Sequence, residues 1–365
     1  VLLQEERLSY QPECPEVLAN GKRAYYLEIQ DLPPLSGPLA RRFPLLTPLR
    51  PSIIRSSPRE NYGKKKKMNV GVVLSGGPAA GGHNVINGLF QHIKSLNSAS
   101  QMYGFIGGPK GIITCNFTEI TAAKLAQYQN QGGFDIISTG RDKIESPQDF
   151  ADALDACKSL SLDGLVVIGG DDSNTNAAML AEYFYEHNIS VIGCPKTIDG
   201  DLKNEQVQCS FGFDTATKVY SELIGNIMSD AKSSTKYYHF IRLMGRSASH
   251  IALECALATR PNVVIIGEEI AAKKRTLSQI TNIICDIVVA RSKKGLNYGV
   301  VLVPEGLIEF IPEIAHLIDE LNTILAQGVD PGQVREKCSA TSRELFDFLP
   351  KRIQHQLVLE RDPHG

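Results

Sequence analysis

Several features that would assign a function class at once are missing from this chain. The net charge is only −2 over 365 residues, so no global field attracts nucleic acid or an anionic membrane. The longest apolar runs are strand-sized, far short of a membrane span. The first residues carry no secretory pattern. Eight cysteines are scattered at 14, 115, 157, 194, 209, 255, 285 and 338, none in a C-x-x-C pair. That excludes a disulfide framework or a zinc site of that type and makes a reducing cytosol the expected location. There is no internal repeat.

With 42% hydrophobic residues, a large core and two or three domains are expected. Residues 1–67 hold nine of the nineteen prolines and end in Lys64–Lys67. Proline fixes φ and removes a ladder donor, so this stretch is expected to be irregular, a belt over a folded body, with the lysines as a solvated hinge. The chain begins at Val1 and stops after Arg-Asp-Pro-His-Gly, and a fragment is the expectation.

From Met68 the texture changes. Val70–Leu74, Gly104–Ile106, Leu165–Ile168, Val191–Ile192, Tyr238–Leu243, Val263–Ile266 and Val300–Val303 read as buried strands. Between them lie helical stripes: Val85, Ile86, Leu89, Phe90 and Ile93; Leu180, Ala181 and Phe184; Val219, Leu223, Ile224 and Ile227. Such alternation implies an α/β protein with mostly parallel sheets. In these folds ligands bind beyond the carboxyl ends of the strands. From about Leu307 the pattern is helical only, as expected of an insertion.

The strand ends carry the informative residues. Ser75-Gly76-Gly77-Pro78-Ala79-Ala80-Gly81-Gly82 precedes a helix and suits an anion site made of backbone N–H groups. It is neither G-x-G-x-x-G nor a Walker A loop; a plain tight turn is the alternative. Gly107-Gly108-Pro109-Lys110 and the segment Gly132-Gly133 to Gly140-Arg141 repeat the pairing of glycine with a cation. Gly169-Gly170-Asp171-Asp172-Ser173 opens a helix expected over Asn174–Tyr185. There Asp171 is placed to hold Mg²⁺, while Ser173 or Asn174 caps the helix. Asp172 is the puzzle, because it repels the polyanion that the glycines invite. Lys196-Thr197-Ile198-Asp199-Gly200-Asp201 offers two carboxylates two residues apart, pointing the same way if the loop is extended, and a lysine for a phosphoryl group. An Asx-turn with a solvated lysine is the alternative.

Read together, Gly169–Ser173, Pro195–Asp201, Phe211-Gly212-Phe213-Asp214-Thr215-Ala216, Met244-Gly245-Arg246 and Val303-Pro304-Glu305-Gly306 resemble the phosphofructokinase family, in its long pyrophosphate-dependent branch. Gly193–Asn204, Tyr237–Glu254 and Gly267-Glu268-Glu269 fit the same branch. The resemblance implies two Rossmann-like domains plus a helical insertion. The Pro-rich extension would cover 1–67, a pyrophosphate/Mg domain 68–213, a sugar-phosphate domain 214–306 and a truncated insertion 307–365.

It further implies reversible transfer of a phosphoryl group from Mg-pyrophosphate to the C1 hydroxyl of fructose 6-phosphate, in glycolysis. Asp199 matches the base, with Lys196, Thr197 and Asp201 around it. Gly76, Gly77, Lys110, Arg141 and Gly170 match diphosphate-binding positions, and Asp171 the metal position. Met244, Gly245 and Arg246 match the sugar-phosphate loop, and Glu305 the acid on the sugar hydroxyls. Lys236 and Tyr237 match residues that reach a neighbouring subunit's substrate. The ATP-using branch typically has glycine where Asp172 and Lys196 stand, so pyrophosphate is the implied donor. Ala80 replaces an expected proline. The family's Tyr-x-x-Arg element and final donor-domain strands are not found before Gly365, so the C-terminal part of the fold is expected to be missing. A homo-oligomer, dimer or tetramer, or a hetero-oligomer with a regulatory subunit is implied, with no nucleic-acid or membrane partner. The competing readings are a kinase of the NAD-kinase or diacylglycerol-kinase group, a non-catalytic regulatory subunit, and a truncated paralogue. The first lacks the Lys196–Asp201 and Met244–Arg246 segments. A degenerate subunit is expected to have lost Asp171, Asp172, Lys196 or Asp199, all retained here.

Overall fold

The computed structural model describes residues 3–9, 14–19, 23–33, 35–60, 66–202, 207 and 210–359. Lys64, Lys65 and Cys209 lie outside them. The chain divides into two compact units, Val1–Cys194 and Pro195–Gly365.

The proline-rich beginning of the first unit is not irregular throughout. It contains strands β1 (Arg23–Ile29) and β2 (Ser52–Glu60), paired antiparallel, and helix α1 (Gly37–Arg42). Prolines at 44, 48 and 51 fall in the connection, and Pro58, inside β2, stands where the register shifts between Arg23 and Tyr25.

The body of this unit is a five-stranded sheet. Its strands are β3 (Asn69–Leu74), β4 (Gln101–Phe105), β5 (Phe117–Glu119), β6 (Gly164–Gly169) and β7 (Ser190–Pro195), in the order β5-β4-β3-β6-β7. β3 pairs parallel with both β4 and β6, and β5 pairs antiparallel with β4. Helices α2 (Gly82–Leu96), α3 (Pro109–Ile113), α4 (Pro147–Ser159) and α5 (Asp171–Phe184) connect the strands. The expected stripe of α2 is seen in buried Ile86, Phe90 and Ile93, and that of α5 in Leu180 and Phe184. Val73, Phe105, Leu165, Leu180 and Phe184 belong to one buried cluster. The chain leaves β3 toward β4 on one side and later returns to β6 on the other. The strand order therefore reverses beside β3, and the carboxyl ends of β3 and β6 flank the crevice where such sheets bind ligands.

The second unit holds a three-stranded parallel sheet in the order β8-β10-β9: β8 (Tyr238–Leu243), β9 (Val263–Val264, shorter than expected) and β10 (Gly299–Pro304). Helices α6 (Phe213–Ser234) and α7 (His250–Thr259) share a buried cluster with β8 and β10. The expected stripe of α6 holds at Ile224 and Ile227 and fails at its other two positions. Val219 and Leu223 are exposed, while Thr217, Ile224 and Ala231 are buried and Tyr220 and Met228 pack against the cluster. The seam follows a seven-residue spacing, and the β-branched and aliphatic residues beside it misled the reading. Helix α8 (Leu277–Ser292) packs in a further cluster with Ile311 and Ile314. The expected helical segment follows β10 as α9 (Pro312–Ala326), α10 (Ala340–Phe348) and α11 (Lys351–Val358), with Pro350 capping the last. The unit division precedes the boundary expected at 213. Residues 196–201 contact second-unit side chains: Gly200 O lies 3.0 Å from His250 Nδ1, and Thr197 N donates to Ser210 Oγ at 2.7 Å.

Part of the proline-rich segment is strapped to α5. The N–H groups of Leu45 and Leu46 donate to the two carboxylate oxygens of Glu182 at 2.6 and 2.9 Å, and Arg42 reaches Met179 Sδ at 3.7 Å. Glu182→Ala removes a doubly used, half-buried acceptor. Its expected cost is about 1–3 kcal/mol, read as a lower Tm and faster hydrogen exchange at Leu45 and Leu46.

Candidate active site

In the first unit the glycine loops meet at the ends of β3 and β6. Gly140 forms a parallel bridge to Ser75 and accepts a hydrogen bond from Gly76 N at 2.8 Å. Thr139 Oγ1 donates to Gly76 O at 2.8 Å or Leu74 O at 3.2 Å. Gly108, at φ +82, crosses so close to Gly140 that a Cβ would collide with its backbone. This close approach is what the glycines supply. Gly77 and Arg141 are adjacent: a Cβ on Gly77 would lie 4.0 Å from Arg141 Nη2. Lys110 lies exposed in the first turn of α3. Gly76, Gly77 and Arg141 therefore stand together beyond the end of β3, and Gly170 follows its parallel neighbour β6. Gly132 and Gly133 do not add a separate site; they pack on the first turn of α2, where His83 N donates to Gly133 O at 3.1 Å. Buried His83 also accepts from Ile136 N at 3.2 Å, and burial lowers its pKa while nearby Asp135 opposes the shift.

Helix α5 begins at Asp171, earlier than expected. Gly170 is its N-cap, with no side chain capping. Ser173 and Asn174 thus sit in the first turn and do other work. Ser173 Oγ donates to Ser75 Oγ at 2.8 Å, tying the end of β3 to α5. Asn174 Nδ2 lies 2.8 Å from both Gly169 O and Gly170 O. The first N–H groups of α5 are left for an anion. Asp172 pairs with Lys143 at 3.6 Å. Among the described residues the Asp171 side chain has no hydrogen-bond or ion-pair partner, so its carboxylate is available to a hard cation. No three metal-ligating side chains cluster among the described residues.

In the second unit Lys196 and Asp199 are buried, at 7% and 8% exposure. Asp199 N donates to Thr197 Oγ1 at 3.0 Å, and Arg246 N approaches Asp199 Oδ2 at 3.5 Å. Gly200 takes φ +74, so the loop is not extended as expected. Asp201 nevertheless remains close enough to act on Asp199. Burial pushes the Asp199 carboxyl above its ordinary pKa, and Asp201 and Glu305 push the same way against the Arg246 N–H. Asp201 Oδ1 is buried without a hydrogen-bond partner among the described residues.

Gly306 N donates to Gly245 O at 3.0 Å and Glu305 N to Leu243 O at 2.8 Å, which aligns the Met244–Arg246 loop with Glu305. Arg246, Glu305 and Gly306 line a cavity of about 1120 Å³ that continues along α9 to Asp330 and Leu357. Lys236 and Tyr237 are not brought to this group. They precede β8, whereas Met244–Arg246 follows it, so the six residues of the strand separate them by roughly 20 Å. Tyr220 was not singled out from the sequence. Its hydroxyl lies 3.2 Å from Met244 Sδ, and burial first, then Cys255, Asp199 and Glu305, raise its pKa. Lys143 and Asn176 were missed too, since neither sits in a glycine motif.

Residues 69–344 match the phosphofructokinase family model. The chain belongs to the phosphofructokinase family. It is 56% identical over 331 residues to the pyrophosphate–fructose 6-phosphate 1-phosphotransferase subunit beta 1 of Arabidopsis thaliana, covering 90% of this chain and 58% of that protein. It is 49% identical over 387 residues to the pyrophosphate–fructose 6-phosphate 1-phosphotransferase of Treponema pallidum, covering all of this chain and 68% of that protein. The chain thus spans less than two thirds of the length of the plant relative. A solved pyrophosphate-dependent phosphofructokinase from Nitrosospira multiformis shares the fold with a TM-score of 0.57 at 20% identity, over 66% of this chain and 61% of that one. Among the described residues no helix is long and apolar enough to cross a membrane.

The raised pKa of Asp199 has a consequence for stability. The folded chain binds this proton more tightly than the unfolded chain does. The resulting stabilisation is present below the ordinary aspartate pKa and is lost as pH rises through the folded value. Asp199→Asn is therefore expected to raise Tm at pH 7, with the gain shrinking below about pH 4. Thermal melts across that range provide the check.

Proposed function

We propose that the chain transfers a phosphoryl group reversibly between pyrophosphate and the C1 hydroxyl of fructose 6-phosphate, giving fructose 1,6-bisphosphate and phosphate. The observation that carries this reading is Asp172 in the first turn of α5, joined in the same chain by Lys196 and Asp199. A carboxylate at that position turns away the rest of a nucleotide while leaving the helix N-terminus to a two-phosphate donor. The names of relatives at 49–56% identity support the same donor and acceptor.

On the donor side, Gly76, Gly77, Gly170 and the N–H groups of α5 hold the diphosphate with Arg141 and Lys110. Asp171 holds Mg²⁺, which when bound screens the charge of the donor. On the acceptor side, Arg246 binds the sugar phosphate within the Met244-Gly245-Arg246 loop, and Glu305 accepts from the sugar hydroxyls. Asp199 takes the proton of the C1 hydroxyl as its oxygen attacks phosphorus. A base held above the ordinary carboxylate range accepts that proton more readily near neutral pH. Lys196, with Thr197 and Asp201 beside it, offsets the charge on the transferred group. These are positioning and electrostatic tasks, which is what phosphoryl transfer requires.

Lys236 and Tyr237 serve the site of a second copy, since within one chain a strand separates them from Arg246. The active form is accordingly an oligomer of such chains, a homo-oligomer or a pair with a regulatory subunit, located in the cytosol.

In a coupled assay the full-length protein is expected to turn over fructose 6-phosphate with pyrophosphate and Mg²⁺, and hardly at all with ATP. Asp199→Ser is expected to lower kcat by about 10²–10⁴-fold. Comparable rates with ATP, or a near-normal Asp199→Ser rate, contradict the proposal.

A further inference from the structure

Asp172 raises a difficulty for the function proposed above. A carboxylate beside a diphosphate site repels the diphosphate as well as a nucleotide, unless its charge is offset locally. Lys143 supplies the offset. Its Nζ lies 3.6 Å from Asp172 Oδ1, with side-chain exposures of 25% for the lysine and 70% for the aspartate. A pair this exposed does little for the stability of a fold, so stability does not account for it.

The placement of Lys143 is built into the core. The next residue, Ile144, is fully buried among the first unit's apolar side chains. Its backbone is gripped on both sides by the buried side chain of Asn176: Ile144 N donates to Asn176 Oδ1 at 3.2 Å, and Asn176 Nδ2 donates to Ile144 O at 2.7 Å. Asn176 lies four residues beyond Asp172 on α5, hence one turn along the same helix face. The loop carrying Lys143 is thus clamped to the helix that carries Asp172, at the height where the two side chains meet. The same loop carries Arg141 beside Gly77, so the clamp also fixes the cation at the diphosphate position.

We infer that Lys143 is a specificity-determining residue that acts through Asp172. It cancels the long-range repulsion of the carboxylate toward a diphosphate and leaves its bulk and short-range charge against a nucleotide. The inference rests on the donor reading above and deepens it. It also separates two roles that a single acid cannot fill: exclusion comes from Asp172, and tolerance of the correct polyanion comes from its partner.

A double-mutant cycle tests this. The Kd of imidodiphosphate with Mg²⁺ is measured by calorimetry on full-length wild type, Lys143→Gln, Asp172→Gly and the double variant. With Asp172 present, Lys143→Gln is expected to weaken binding by about tenfold. With Asp172→Gly the same change is expected to matter less than about twofold. A merely structural lysine, or one that contacts the diphosphate directly, gives the same loss in both backgrounds, and that result overturns the inference. Wild type that fails to bind imidodiphosphate overturns the donor reading itself, and this inference with it. Wild type that binds while the losses are additive overturns this inference alone. Circular dichroism melts check that each variant is folded.

Discussion

The strand-end loops of the first unit depend on one close approach of main chain to main chain. Gly140 lies between the end of β3 and the turn at Gly108, bridged to Ser75 and accepting from Gly76 N at 2.8 Å. No side chain fits there, because a Cβ on Gly108 would collide with Gly140 and one on Gly140 with the Gly107 carbonyl. The approach brings Arg141 to Gly77 and sends the chain on to Lys143 and Ile144. From there the Asn176 clamp takes over and passes the geometry to α5. The backbone donors, the arginine and the two aspartates are placed by this one crossing.

The second unit is organised around burial of charge. Lys196 and Asp199 are nearly excluded from solvent, and Asp201 and Glu305 act on the same carboxyl. Such crowding disfavours the ionised carboxylate and destabilises the folded chain at neutral pH, a cost that functional sites commonly carry. Backbone bonds from Glu305 and Gly306 to the Leu243 and Gly245 carbonyls hold the acid and the Arg246 loop together despite it.

Much of this was legible in the sequence because strand ends in α/β proteins announce themselves by composition. Continuous apolar runs marked every strand of both sheets except the short β5 (Phe117–Glu119), and the glycine and aspartate loops stand directly after those strands. The misses share a cause: they depend on contacts between distant segments. The Asn176 and Ile144 clamp spans thirty-two residues, and Asn176 alone reads as an ordinary polar helix residue. Ser173 read as a cap, yet its partner is Ser75 across the crevice. On α6, Val219 and Leu223 are as apolar as the buried seam but stand beside it. In the first segment, proline count hid a paired β1 and β2 because most of the prolines fall outside the strands and Pro58 is taken up at a register shift.

In the proposed function, donor choice is written at positions 172 and 196. The most direct measurement is the ratio of kcat/KM for pyrophosphate to that for ATP, in the wild type and in Asp172→Gly combined with Lys196→Gly. The ratio is expected to fall by about a hundredfold or more, with ATP use rising in absolute terms. An unchanged ratio, with both donors lost in parallel, would contradict it.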